Sequence, residues 1–268
     1  MSSIFNRRTS RAAKVVAPWL WVAFLMSALP VQASWQGFDA VSSILAEVEQ
    51  VHEQGLILEM PLVSEDGSAV PITVKLDHPM TDDRYITSIR ILAQGNPNAE
   101  VVDFYLTPAL GRAEVSSRIR VNESQRIWAV ATNNQGEAWI SYHDIRVTVG
   151  GCLMTAEDNS SVALSQPRIA LPRSFSAGQP AEIRTLVTHP METGLREGPD
   201  GSVLPKRLVE RFVVTLDNET ALEVHLHTAV SANPYLRFFL APQSSAQANF
   251  VWYEDTGFEL GEEASLVL

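Results

Sequence analysis

The chain has 268 residues, 46% of them hydrophobic and 19% charged, with a formal net charge of −11. That length holds one large domain or two ordinary ones with a sizeable core, and the acidic balance excludes nucleic acid as a partner, because phosphate binding needs basic surface. The single cysteine, Cys152, excludes a disulfide within the monomer.

Residues 1–33 read as an export signal. Arg7, Arg8, Arg11 and Lys14 make a basic start, Val15 to Leu29 an apolar run short for a spanning helix, and Val31-Gln32-Ala33 a small-x-small site that places cleavage near Ala33-Ser34. Arg7-Arg8 also raises twin-arginine export, although Thr9-Ser10 replace the usual apolar pair. Without this segment 16 basic residues face 31 acidic ones, a balance of about −15. No other run is long enough to span a bilayer, so the expected product is soluble and exported.

Asp39 can cap a helix running to about His52, with Val41, Ile44, Leu45, Val48 and Val51 forming one apolar stripe and Gly55 as terminator. One such helix cannot stand alone and must pack on the domain after it. Seven strands are then predicted by alternation: Ile72–Leu76, Tyr85–Ile91, Val101–Leu106, Ser117–Val121, Ile127–Val130, Ala138–Tyr142 and Ile145–Val149. Turn signals such as Gln94-Gly95-Asn96-Pro97 separate them, and no helix intervenes, the pattern of a β-sandwich. After Cys152, the polar stretch 153–166 reads as a linker. A second strand set comes next: Pro167–Leu171, Ala181–Val187, Arg211–Leu216, Ala221–Leu226, Tyr235–Leu240, Ala248–Trp252 and Ala264–Leu268. The expected fold is therefore all-β, two immunoglobulin-like sandwiches with a short amphipathic helix packed on the first. The domains are 34–152 and 167–268. The long connection His189 to Lys206 is expected to be functional or mobile, and His78-Pro79-Met80 and His189-Pro190-Met191 hint that the two halves are related.

Cys152 follows Gly150-Gly151 at the end of a strand. Glycine opens backbone angles closed to other residues, so this setting favours an exposed thiol on a hinged arm over the buried, inert cysteine that is the commoner case. No basic residue adjoins it to lower the thiol pKa from its ordinary value near 8.5. Activation would have to come from another protein, which suits a carrier better than an enzyme. His225 and His227 alternate with Leu222, Val224 and Leu226 and so face outward with Glu223. A His-x-His pair is half a metal site, but no third ligand is identifiable. Blue copper would need two histidines near the cysteine, and the next one after Cys152 is His189. No Ser-His-Asp arrangement, nucleophile elbow or phosphate-cradling loop is present, so neither catalytic nor metal-ligating residues are assigned. Asn122-Glu123-Ser124 and Asn218-Glu219-Thr220 match glycosylation acceptors, a short pattern common by chance.

From about Val70 to Cys152 the chain resembles the sulfur-carrier protein SoxY. The matching pieces are Asn96-Pro97-Asn98-Ala99-Glu100-Val101, Phe104-Tyr105-Leu106-Thr107-Pro108-Ala109, Ala113-Glu114-Val115 with Arg118-Ile119-Arg120, and the ending Val149-Gly150-Gly151-Cys152. From Pro167 to Leu268 it resembles SoxZ, through His189-Pro190-Met191-Glu192-Thr193-Gly194-Leu195-Arg196 and Ser231-Ala232-Asn233-Pro234-Tyr235-Leu236. The resemblance implies two closely associated sandwiches in the periplasm. It also implies covalent attachment of a thiosulfate-derived sulfur species to Cys152, with Gly150 and Gly151 as hinge, no cofactor beyond that adduct, and no catalysis by the carrier itself. It implies redox partners: Sox-type enzymes or, by likeness to fused carriers of this kind, a quinoprotein dehydrogenase and cytochrome c system. One departure stands out. SoxY ends in a free Gly-Gly-Cys-Gly-Gly tail, whereas Cys152 is followed by Leu153-Met154 and a second domain, so the arm must enter a partner as a loop. Fully extended, 153–166 span up to about 45–50 Å. A second reading is a non-covalent binding or assembly module for a quinoprotein dehydrogenase, with the thiol incidental.

Overall fold

The computed structural model describes residues 35–150, 164–198 and 200–268. The expected signal segment, Gly151, Cys152 and most of the expected linker lie outside the described residues. Residues 34–268 form one compact unit.

Helix α1, Asp39–Leu45, is shorter than expected. Phe38 rather than Asp39 occupies the N-cap, without a side-chain hydrogen bond, and Asp39 sits in the first turn, where the helix dipole favours a carboxylate. The helix stops because the next segment finds a better use for its backbone. Gln50–His52 (β1) pairs in parallel with Glu137–Trp139, and Glu49 N–H donates to the Gly136 carbonyl at 2.8 Å. Val48 and Val51, partly buried, still pack against the first half, so the extended form keeps the apolar contact and gains sheet hydrogen bonds that a free helix end lacks.

The remaining strands of the first half are β2 (Leu56–Glu59), β3 (Val63–Asp66), β4 (Val70–Leu76), β5 (Ile86–Ala93), β6 (Glu100–Leu106), β7 (Ala113–Ile119), β8 (Gln125–Asn133) and β9 (Glu137–Val149). Those of the second are β10 (Ser165–Ala170), β11 (Ala181–Thr188), β12 (Val209–Leu216), β13 (Glu219–Leu226), β14 (Tyr235–Leu240), β15 (Ala246–Glu254) and β16 (Glu259–Leu266). Two differences from the expected set are instructive. The short, mostly exposed β2 and β3 carry too little alternation to be seen. The two strands expected around His143-Asp144 are one, β9, whose backbone pairing with β8 runs unbroken from Ala138 to Ile145, with Arg126 donating two hydrogen bonds to Asp144 across the pair (2.8 and 3.0 Å).

The strands form a ten-stranded and a six-stranded sheet. Both run through the junction between the halves. In the larger, β6 pairs with β13 in the register Val102↔Leu226, Phe104↔Val224 and Leu106↔Leu222. In the smaller, β7 pairs with β14 through Ser116↔Arg237. β6 is buried on both faces from Val101 to Phe104. A single apolar cluster runs from Val70 and Ile89 of the first half to Phe212, Phe238 and Trp252 of the second. The two sandwiches thus share their sheets and their core. α1 covers the outer face of the larger sheet, with Val41 and Leu45 against Leu92, Trp128, Val130 and Ile140. A second seam forms at Gly111 (φ 63°), where a Cβ would lie 2.5 Å from the Ala241 Cβ. Only glycine satisfies both the angle and the contact.

Candidate functional site

β9 brings the chain to the root of the expected arm. Its last residue, Val149, accepts a hydrogen bond from Gly67 N–H (2.8 Å), and the Gly67 carbonyl in turn accepts from Val121 N–H (2.8 Å). Upstream, the Ser124 hydroxyl accepts from Val147 N–H at 2.9 Å. Gly150, the last residue described before the arm, is pressed against the backbone of Asn122: a Cβ built on Gly150 would overlap the Asn122 carbonyl oxygen. Glycine is needed here for close approach, a demand separate from conformational freedom.

The buried carboxamide of Asn96 organises this root. Its Nδ2 donates to the Arg120 carbonyl (2.9 Å), while its Oδ1 accepts from Asn122 N–H (3.0 Å) and Gln125 Nε2 (2.8 Å). Arg120, 6% exposed, then reaches into the second half. Its guanidinium donates to the carbonyls of Met191 (2.6 Å), Pro190 (3.1 Å) and Thr228 (3.3 Å). Its backbone N–H donates to the Ala229 carbonyl (2.6 Å), and Ser231 N–H donates to the Arg118 carbonyl (3.1 Å). Arg118 lies over the Tyr235 ring, 5.0 Å from its centroid. Further along the seam Arg237 bonds Glu114 (2.7 Å) and Ser116 (2.9 Å) of the first half. Burial alone would lower the Arg237 pKa, but Glu182 and Glu114 outweigh it and hold it above the ordinary value.

The motif residues therefore converge on the junction. The long connection after His189 folds back on itself through the Glu192↔Arg207 and Glu197↔Val203 bridges, and Met191 is buried with φ 51°, so that the Pro190 and Met191 carbonyls both reach Arg120. Met191 N–H donates to His189 Nδ1 (3.1 Å), which leaves Nε2 to carry the imidazole proton and donate to Glu254 (3.0 Å). Arg207 adds bonds of 2.9 and 3.3 Å to the same carboxylate. His78, in the matching tripeptide of the first half, instead bonds the Pro79 carbonyl and sits edge-on to Trp139; the two tripeptides share letters but not surroundings.

Burial pushes the His189 imidazole below its ordinary value, against the opposing pull of Glu254. For Glu254, burial alone would raise the pKa, but the bonds from Thr256, Arg207 and His189 prevail and hold it below the usual range. Both groups bind protons more readily when unfolded, so their contribution to stability is complete above about pH 6.5 and is lost as pH falls, first through His189 and then, below about pH 4.5, through Glu254. The urea midpoint is expected to drop between about pH 7 and pH 5, and to drop less in His189→Gln. A flat wild-type profile across that window would contradict a buried neutral imidazole.

His225 and His227 face outward, as predicted, with Leu222, Val224 and Leu226 buried. The strand beside them is β6. His227 bonds Asp103 (3.2 Å), His225 bonds Glu223 (2.8 Å), and the His225 ring meets Tyr105 edge-on. Among the described residues no group of three or more His, Cys, Asp or Glu could hold a metal ion, and no helix is long and apolar enough to cross a membrane. Cys152 and Gly151 lie outside the described residues. The sequence missed the roles of Asn96, Arg120, Arg207 and Glu254. Alternation would send Arg118 and Arg120 to the same polar face; the approach of the second half buries Arg120 and leaves Arg118 exposed.

Residues 41–152 match the family model for sulfur oxidation protein SoxY, and residues 169–265 that for sulphur oxidation protein SoxZ. No curated protein sequence matches the chain. Among solved structures it is similar to the sulfur carrier protein SoxY from Chlorobium limicola f thiosulfatophilum, with 23% identity, TM-score 0.36, and coverage of 44% of this chain and 100% of that one. It is also similar to superoxide reductase (neelaredoxin) from Ignicoccus hospitalis, with 18% identity, TM-score 0.32, and coverage of 41% and 89%. A third likeness is to fibronectin(III)-like modules of CbhA from Clostridium thermocellum, with 12% identity, TM-score 0.24, and coverage of 79% and 94%. With a SoxY domain followed by a SoxZ domain over most of its length, the chain belongs to the SoxY and SoxZ sulfur-oxidation families and is a fused SoxY–SoxZ-like carrier.

Proposed function

We propose that Cys152 is the covalent attachment point for a sulfur species that this carrier presents to partner enzymes, without catalysing the chemistry itself. The observation that carries this reading is the SoxY match itself, which ends on Cys152. Gly150 and Gly151 form the hinge, and Gly150 is its fixed end.

Loading with thiosulfate joins the Cys152 thiolate sulfur to the sulfane sulfur of the anion. The thiol proton goes to a base and two electrons are released, so a two-electron acceptor on a partner is required. The product is a disulfide-like S-thiosulfonate, and removal of the sulfonate as sulfate by a hydrolysing partner leaves a persulfide. No acid–base group of this chain is needed in either step, consistent with a carrier served by other enzymes. Sox-type sulfur-oxidation enzymes are the partners the family implies. A quinoprotein dehydrogenase with cytochrome c is the more particular system we propose. The compartment is the periplasm, reached by cleavage near Ala33-Ser34.

Intact-mass analysis of protein recovered from the native host tests this directly. The expected result is a mass increase, mapped by peptide analysis to Cys152 and removed by reductant. Protein that carries only a free thiol throughout active sulfur oxidation would refute the reading.

A further inference from the structure

Outward-facing His225 and His227 have no part in the carrier reading, yet they line a cavity of about 310 Å³ at the junction of the halves. Lys206, Glu210 and Arg211 line it with them, and Asn98 enters from the first half. In a chain of net charge −11 this lining is exceptional: two permanent cations and two imidazoles against one carboxylate.

A β-bulge puts Arg211 there. β12 takes two steps, Val209 to Arg211, against one step on β15, Glu254 to Tyr253. Glu210 is the extra residue, and it reverses the alternation. Val209 and Phe212 both turn into the core, so Arg211 faces outward, opposite His225 on β13. Without the bulge Arg211 would share the inward face of Val209. Its guanidinium lies over the Tyr253 ring, 4.3 Å from the centroid, and its one carboxylate neighbour, Glu223, stands 3.9 Å away. That carboxylate already accepts from His225 at 2.8 Å, as Asp103 does from His227 at 3.2 Å. The acids beside the cavity are thus committed to the imidazoles, and the guanidinium keeps unfilled donors. Lys206 arrives on the long connection. Its neighbour Arg207 donates its N–H to the Glu192 carbonyl (2.9 Å), and Gly194, at φ 77°, lets the returning chain pass close to Lys206. Among the described residues the Lys206 ammonium makes no ion pair.

We propose that this cavity binds a small tetrahedral oxyanion of charge −2, of the sulfate, thiosulfate and phosphate class. Arg211 offers two oxygens of such an ion a planar fork of N–H donors, and Lys206 adds a point charge from another direction. Two cations on separate elements favour an ion that carries two charges and presents oxygens on more than one side. The site uses no residue of the arm, so its failure leaves the proposed function untouched.

The test is a titration of the full chain, labelled with 15N, with sodium sulfate, sodium thiosulfate and sodium phosphate, sodium chloride holding the ionic strength constant. Saturable shifts of the amide resonances of 206–211 and 225–228 are expected, and the ion that saturates them at the lowest concentration identifies the ligand. Arg211→Gln should weaken binding by at least about tenfold, the loss of a charged hydrogen-bond donor, and Lys206→Gln should weaken it less. Arg126→Gln, a cation paired with Asp144 on β9, is the control and should bind as wild type does. Sodium nitrate, planar and monovalent, should bind at least about tenfold more weakly than the best of the three. Sulfate also stabilises proteins by exclusion from their surface, but that effect neither saturates nor depends on Arg211. If Arg211→Gln fails to fold, Lys206→Gln and the nitrate comparison decide. Shifts that grow linearly with every ion, saturable binding unchanged in the folded variants, or nitrate as tight as the dianions would overturn the proposal.

Discussion

Cys152→Ser is expected to abolish covalent loading and, with it, sulfur oxidation that depends on this carrier. The change replaces one atom, but it removes the chemistry. A thiol forms appreciable thiolate near neutral pH and makes disulfide-type bonds that exchange readily; a serine hydroxyl does neither. The loss should be complete, because the chain contains no second cysteine to substitute. Two measurements decide the matter: the reductant-sensitive mass at residue 152, and substrate-dependent oxygen uptake in a host that carries the variant as its sole copy. Wild-type uptake by the serine variant would exclude the carrier and favour a non-covalent assembly role, in which both forms would co-purify equally with a dehydrogenase.

Arg120→Ala is expected to be the most damaging substitution at the junction, lowering stability by about 3–5 kcal/mol. The guanidinium meets three carbonyls of the second half, and two of those bonds are buried. Hydrogen bonds to a charged donor contribute more than neutral ones, and each carbonyl left dry by truncation adds a desolvation cost of about 1–3 kcal/mol. For a unit of this size the melting temperature should fall by about 10 °C. Arg120→Lys should recover part of the loss, because an ammonium can serve one or two of the carbonyls but not the full fan of a guanidinium. A melting curve for Arg120→Ala within about 2 °C of wild type would show that the halves are held without it.

Most strands are readable in the sequence because each presents one dry face. Ala221–Leu226 alternates Leu222, Val224 and Leu226 with polar residues, and the structure buries those three and exposes the polar ones in part. Tyr235–Leu240 is predicted at its observed limits. Where two conformations satisfy the same apolar pattern, alternation fails. Val48 and Val51 fit a helical stripe and also fit an edge strand, and the open hydrogen bonds of β9 make the choice. Exposed strands such as Val63–Asp66 leave no pattern to read.

The candidate site divides in the same way. Cys152, its two glycines and the family motifs are legible, since they are local runs of residues. That Gly150 is crowded by Asn122, and that the motif residues of both halves meet around Arg120, could not be read from either run alone.

By itself, the sequence determined an all-β chain in two halves, a single thiol after a diglycine, and an excess of acid over base. Those properties depend on side-chain type and on spacing along one segment. Tertiary structure alone decided that the halves share two sheets and one core, that the arginine of Arg118-Ile119-Arg120 nearest the arm becomes interior, and that His189 finds Glu254. The reason is physical. Strand pairing uses backbone groups common to every residue, so the pattern on a strand tells which face is buried but not which edge will find its partner.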